Sequence, residues 1–307
     1  MKVVNEVPQE IAQIYMDYPN IGRDTLIKEF GLSYHEARIY AWVMKHGKKV
    51  YHHDLKTKPE SGNTKKVGIL PDIHFPYHDE RALDVAINYL LKVGVDVVVV
   101  LGDGVDCYAI SFWKTDPTKP IFAKEVEQTI PLIKALSDAF PENTEKVWLE
   151  GNHELRLRNE LWGGSKKLAG LHSLTITEVY KLKEIGFNYV SNIELMQNEM
   201  QPFRVGKVYL LHGHEINSGW TTINIARNFY LKNPNTQILG HFHRTQEHTQ
   251  KKLDLQIDGS WSMGCLCNLT PDYRPANQWN HGVGLIEWDS DGYFSFQNKK
   301  IIDGRVL

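Results

Sequence analysis

From Lys65 onward the chain alternates short apolar runs of strand length with longer stretches whose apolar residues recur at helical spacing. The order is a strand at Val67 to Leu70, a helix around Glu80 to Lys92, a strand at Val95 to Leu101, a helix near Lys124 to Phe140 and a strand at Lys146 to Leu149. This βαβαβ alternation predicts an α/β protein built on a parallel sheet. In the run VDVVVVLG nearly every position is apolar, as expected of a strand covered on both faces, so it belongs in the middle of that sheet. The second half carries shorter strands at Lys207 to Leu211, Gln237 to Leu239, Leu253 to Ile257, Val283 to Trp288 and Tyr293 to Gln297, with a helix near Trp220 to Tyr230. These predict a second sheet packed on the first.

Ahead of Lys65 the pattern is different. The polar stretch DLKTKPESGNT, which contains Pro59 and Gly62, marks a boundary between a small N-terminal helical domain with its linker, residues 1–62, and a main domain, residues 63–307. Within the former, Asp24 to His46 reads as two short helices joined at Phe30-Gly31-Leu32-Ser33, with Leu26, Ile27, Phe30, Ala37, Tyr40 and Val43 at helical spacing. This resembles a helix-turn-helix, whose second helix, Tyr34 to Lys45, would offer His35, Arg38 and Lys45 to DNA. Residues 1–62 hold nine Lys or Arg against eight Asp or Glu, so charge alone does not separate DNA binding from a cap that packs on the main domain.

Composition narrows the class. A chain of 307 residues, 42% hydrophobic and 23% charged, buries a full core. Its formal net charge of -2 gives no global basic field, so any contact with nucleic acid must come from a local patch. Three cysteines, Cys107, Cys265 and Cys267, form neither a disulfide framework nor a zinc ribbon and point to a reducing compartment. Met1 to Glu10 lacks the apolar stretch of a signal peptide, and the run Val95 to Leu101 is too short to span a bilayer. The expectation is a cytoplasmic protein with no membrane partner; nothing in the sequence fixes its oligomeric state.

The candidate chemistry sits where the strands end. Asp72-Ile73-His74 follows the first strand, Gly102-Asp103-Gly104-Val105-Asp106 the second and Gly151-Asn152-His153-Glu154 the third. Val208 to Leu211 runs into His212-Gly213-His214, and Gln237 to Leu239 into Gly240-His241-Phe242-His243. Ligands of open α/β sheets bind beyond the carboxyl ends of strands, so these clusters are expected to converge. If the segments stay extended, residues two apart share a side, which makes Asp72 with His74 and His241 with His243 natural chelating pairs. Glycine before Asp103, Asn152 and His241 removes a Cβ where the backbone has to come close.

The ordered set DxH, GDxxD, GNHE, HGH and GHxH, spanning roughly Val67 to His243, resembles the calcineurin-like metallophosphoesterase superfamily. The resemblance implies a four-layer αββα sandwich and two divalent metal ions. It implies that Asp72, His74 and His243 bind one metal, that Asn152, His212 and His241 bind the other, and that Asp103 bridges them. It further implies that His153 is the general acid beside the leaving-group oxygen and that Asp106 is the carboxylate that orients and charges it.

Ligands of this type suit manganese, with iron or zinc as alternatives. Arg156 is a candidate phosphate contact, since arginine binds phosphate in a bidentate manner, and His78 is a candidate lining residue at the mouth of the site. Tyr273, Arg274 and Trp279 follow the last motif, in a segment that reads by default as a packed loop and alternatively as the border of a substrate cleft where they would bind a nucleotide. The expected activity is hydrolysis of phosphodiester bonds, in nucleic acid such as DNA. A phosphatase or small-nucleotide phosphodiesterase is the alternative, and an inactive DNA-binding protein the third reading.

Overall fold

The chain divides into two units, Met1–Asp54 and Leu55–Leu307. The computed structural model describes residues 55, 58–216, 223–253 and 257–307, and, outside this span, only Lys28. The helix-turn-helix reading, with its Arg38 and Lys45, falls outside the described residues.

Two sheets form the second unit. The larger has seven strands in the order β12-β11-β10-β1-β2-β3-β4. Its members are β1 (Thr64–Leu70), β2 (Val97–Val100), β3 (Glu145–Leu149), β4 (Asn188–Val190), β10 (His281–Asp289), β11 (Phe294–Ile302) and β12 (Arg305–Val306). The smaller runs β5-β6-β7-β9-β8, with β5 (Arg204–Val205), β6 (Val208–Leu211), β7 (Gln237–Leu239), β8 (Gln246–Lys251) and β9 (Ile257–Ser262). Strands β1 to β4 are parallel, and so are β6, β7 and β9. Each sheet therefore has a parallel core whose carboxyl ends carry loops.

The helices follow from local signals. Helix α1 (Glu80–Val93) starts at Asp79, whose side chain accepts the Ala82 N–H, and stops at Gly94, whose left-handed backbone returns its N–H to Leu90 and Leu91. Its buried stripe, Ala82, Leu83, Ala86 and Leu90, meets Leu70, Val98, Val100 and Leu285 on the outer face of the larger sheet. Ile133 and Leu136 of α2 (Phe122–Ala139) join the same core. By alternation Val97 and Val99, both fully buried, face the opposite side. There the sheets meet: the Trp261 ring of β9 stands 5.6 Å from Phe296 of β11, and Asn298 donates to the Ser262 carbonyl. On the far side of the smaller sheet, Ile225 and Phe229 of α4 (Ile225–Lys232) pack on Leu211 and Leu239; α3 (Leu155–Gly164) follows β3. Helix, sheet, sheet and helix make the four layers of the expected sandwich.

Three expectations need correction. The strands near Val283 to Trp288 and Tyr293 to Gln297 belong to the larger sheet, where β10 pairs antiparallel with β1. They cover the edge of β1 that the parallel strands leave open, a choice of partner that periodicity does not encode. The strand expected at Leu253 to Ile257 falls mostly on residues 254–256, outside the described set; of its ends, Leu253 lies in a turn after β8 and Ile257 begins β9. β8 was missed because QEHTQK is an edge strand with mostly exposed side chains and shows no apolar alternation. The helix expected at Trp220 to Tyr230 is described from Ile225 to Lys232, and residues 217–222 lie outside the described set.

Candidate metal centre

The five strand-end loops meet at one place. The first two loops pair through backbone, His74 N–H to Asp103 O at 2.8 Å and Asp106 N–H to Phe75 O at 2.9 Å. The Asp103 carboxylate accepts the His153 N–H of the third loop at 2.8 Å. The Asp72 carboxylate accepts the His241 N–H of the fifth at 2.9 Å, which ties the two sheets together. Nine non-glycine residues among those described have positive φ, and five of them are Asp72, His74, Asp103, His241 and His243, so unfavourable backbone is concentrated here. The pairs Asp72/His74 and His241/His243 thus converge through left-handed turns rather than along extended segments. Close approach explains the glycines: a Cβ on Gly151 would collide with the Asp103 carboxylate, and one on Gly102 would stand 2.5 Å from His212 Nδ1.

All seven side chains of the expected ligand set come together. His243 Nε2 lies 3.2 Å from Asp72 Oδ1, and His212 Nε2 lies 3.1 Å from both Asp103 Oδ2 and Asn152 Oδ1. His74 Nε2 is 3.7 Å from Asp103 Oδ2, and the His241 ring is 5.1 Å from that of His212. Three of the four imidazoles are held from behind through Nδ1. His74 is held by the Asp106 carboxylate at 3.0 Å, His212 by the Leu101 carbonyl at 2.9 Å and His243 by the Cys267 thiol at 3.6 Å. With Nδ1 anchored, Nε2 is left facing the centre, as metal-ligating histidines require.

The residues present fit a pair of cations. Donor atoms of Asp72, His74 and Asp103 lie within 4.8 Å of one another, as do those of Asp103, His212 and His241, so two potential sites share Asp103. Buried His74 Nε2 has no hydrogen-bond partner. The electrostatics call for positive charge in the middle. Against burial, Asp106 draws His74 up to about 9, and Asp103 draws His212 up to about 10. Likewise against burial, the neighbouring His153 and His212 hold the Asp103 carboxyl well below the usual range.

The remaining expected residues fall into different positions. His153 is buried beside the centre, its Nε2 3.7 Å from Asp103 Oδ2. Its Nδ1 is 2.8 Å from the Asp106 carbonyl, while the Asp106 carboxylate is 3.7 Å away and bonds His74 instead. Asp106 therefore orients His153 through its backbone and His74 through its side chain. Arg156 donates to the Asp106 carbonyl and places Nη2 2.9 Å from His153 Nε2. His78 is turned to its own loop, with its ring 4.8 Å from Phe75 and Nδ1 3.3 Å from the Pro76 carbonyl.

Four supporting side chains were not assigned these roles from the sequence. Glu154, the last residue of the third motif, is buried and accepts the N–H groups of Asp103, Gly104, Val105 and Gly151 and the Trp148 indole N–H. Glu215 does the same for His212 and Gly213 and also accepts from Asn192 Nδ2. Trp279 lays its ring 4.2 Å from that of His243. Cys267 is the thiol behind the same histidine. The available signal was an acidic residue two or three positions after a motif ligand, which by itself does not tell a buried acceptor from a surface carboxylate.

No curated protein sequence matches the chain. Among solved structures, a single mutant of Vps29 from Entamoeba histolytica is similar at a TM-score of 0.37 and 12% identity, over 79% of this chain and 96% of that one, a likeness too remote to carry any argument. The model of the calcineurin-like phosphoesterase family matches residues 65–262, well over half of the sequence and all five motif loops, and the chain belongs to that family.

Proposed function

We propose that the chain hydrolyses phosphodiester bonds of nucleic acid with the aid of two divalent metal ions, manganese being the best match to its donors. The observation that carries the metal-dependent reading is the pair of donor groups sharing Asp103. Asp72, His74 and His243 would hold one ion, Asn152, His212 and His241 the other, and Asp103 both. When bound, such a pair lowers the pKa of a bridging water and polarises the phosphoryl oxygen.

The chain's own residues supply the rest. His153 is assigned as general acid to the leaving oxygen, on the strength of its Nε2 standing 3.7 Å from Asp103 Oδ2 and its anchored Nδ1. Arg156, whose guanidinium reaches the same imidazole, is placed to turn its donors onto phosphoryl oxygens once substrate enters. Nucleic acid is favoured by local charge. The segments 108–121, 155–168 and 269–279, which leave the motif loops or lead back to Trp279, hold seven Lys or Arg against three Asp or Glu in a chain whose net charge is -2.

The test is a manganese-supplemented panel of single- and double-stranded nucleic acids, cyclic dinucleotides and phosphomonoesters. Hydrolysis of nucleic acid that stops on chelation is expected; turnover of monoesters alone would replace this reading with a phosphatase. The pattern in residues 1–62 supports duplex DNA binding as an additional proposal. Arg38→Ala combined with Lys45→Ala is then expected to weaken duplex retention and spare small diesters, and unaltered retention would favour a packing cap.

A further inference from the structure

We propose that the rim beside the metal centre binds single-stranded nucleic acid by stacking unpaired bases on Phe112 and Trp113, an inference that refines the phosphodiesterase reading and rests on it. Phe112 is 94% exposed and Trp113 76%, which for adjacent large aromatic residues is unusual enough to need a reason. Their rings meet edge to face, 5.8 Å apart at 81°, so stacking surface stays open to solvent.

The loop that carries them is anchored to the centre. It begins one residue after Asp106, and Arg156 reaches the Cys107 carbonyl. The N–H groups of Tyr108 and Ala109 go to the Glu125 carboxylate, and the Tyr108 hydroxyl accepts the Asp116 N–H at 2.8 Å. Lys119 closes the loop: its ammonium lies 4.6 Å from the Tyr108 ring centre and 2.6 Å from Asp272 Oδ2, beside Tyr273. Phe112 follows Asp106 by six positions, which limits their separation to about 20 Å.

The ligand class follows from combining planar rings with cations. Lys114, Lys166 and Lys167 are exposed on the segments leaving the second and third motifs, and Arg158 stands 5.5 Å from the Trp162 ring. A cationic track with open aromatic faces suits a strand whose bases are unstacked, and every base offers a face without regard to sequence. A duplex keeps its bases stacked inside and presents only phosphates to such a rim. A small diester at the metals has no need of Phe112 or Trp113.

The experiment compares the full-length manganese-loaded protein with its Phe112→Ala/Trp113→Ala double variant and with a Phe112→Tyr/Trp113→Phe variant that keeps the rings. Binding of a short fluorescent phosphorothioate-linked oligo(dT) is read by anisotropy, beside a duplex of equal length, and turnover is read on bis(4-nitrophenyl) phosphate. The double alanine variant is expected to bind the single strand about 10–100-fold more weakly, the ring-preserving variant to bind like the parent, and diester turnover to stay unchanged. Equal affinity of parent and double alanine variant for the single strand would overturn the proposal, as would a duplex that binds as tightly and depends on the same rings. A parent that binds the strand through these rings yet leaves the nitrophenyl diester intact would sink the phosphodiesterase reading while the stacking surface stands.

Discussion

The seven-stranded sheet carries both carboxylates and the amide of the centre, in Asp72, Asp103 and Asn152, whereas the five-stranded sheet carries three of its four histidines, His212, His241 and His243. Of the two donor groups that share Asp103, one (Asp72, His74, Asp103) comes wholly from the larger sheet and the other (Asp103, His212, His241) spans both, while His243 faces Asp72, and His212 faces Asp103 and Asn152, across the boundary. The loops are also fixed to different degrees. Glu154 gathers five N–H donors from the larger sheet and its loops, while Glu215 gathers two backbone donors and one side-chain amide beside the smaller. The lesson is that the centre is a property of the contact between sheets, with the larger sheet as the stiffer partner.

The sharpest way to break that division is Asp103→Asn, which keeps the shape and removes the charge common to both donor groups. Hydrolysis is expected to fall further than in any general-acid variant, by more than about 10²–10⁴-fold. Elemental analysis should find fewer than two ions per chain. Two ions bound with normal affinity would show that the sheets do not depend on Asp103 to share them.

His153→Ala tests the larger sheet's catalytic side alone. With both metals retained, kcat on a diester with a poor, alkoxide leaving group such as a dinucleotide is expected to drop about 10²–10⁴-fold. An unchanged rate would remove the general-acid assignment and leave orientation as the role of this residue.

Glu154→Gln against Glu215→Gln measures stiffness directly. An amide in place of the carboxylate turns an acceptor into a donor, and each buried N–H left without a partner costs about 1–3 kcal/mol. Denaturant unfolding should show the larger loss for Glu154→Gln, because more donors converge there; equal losses would erase the difference between the two loop systems.

The smallest expected effect belongs to Cys267→Ala on the smaller sheet's side. Losing the partner behind His243 should weaken metal binding about tenfold, at the low end for such supporting contacts, because Trp279 still holds the ring. Metal titration by calorimetry reads this without recourse to activity, and unaltered affinity would show that the aromatic contact suffices.

Much of this was visible in the one-dimensional pattern. VVVV had to be an inner strand, and Asp79 and Gly94 delimit a helix by their own chemistry. Other elements gave no usable signal. QEHTQK forms β8 through backbone pairing with β9 while its side chains face mostly water, so apolar periodicity is absent. Glu154 looks like any acidic residue at a helix start, and only burial makes it the acceptor for five donors.

The sequence by itself determined which side chains stand at strand ends, because alternation, caps and glycines are local and act over a few residues. Tertiary structure alone decided that β10 to β12 complete the larger sheet, that Asp106 serves His74 with its carboxylate and His153 with its carbonyl, and that a thiol stands behind His243. Those choices depend on which surfaces meet across long stretches of chain, and distance in space is not written in spacing along it.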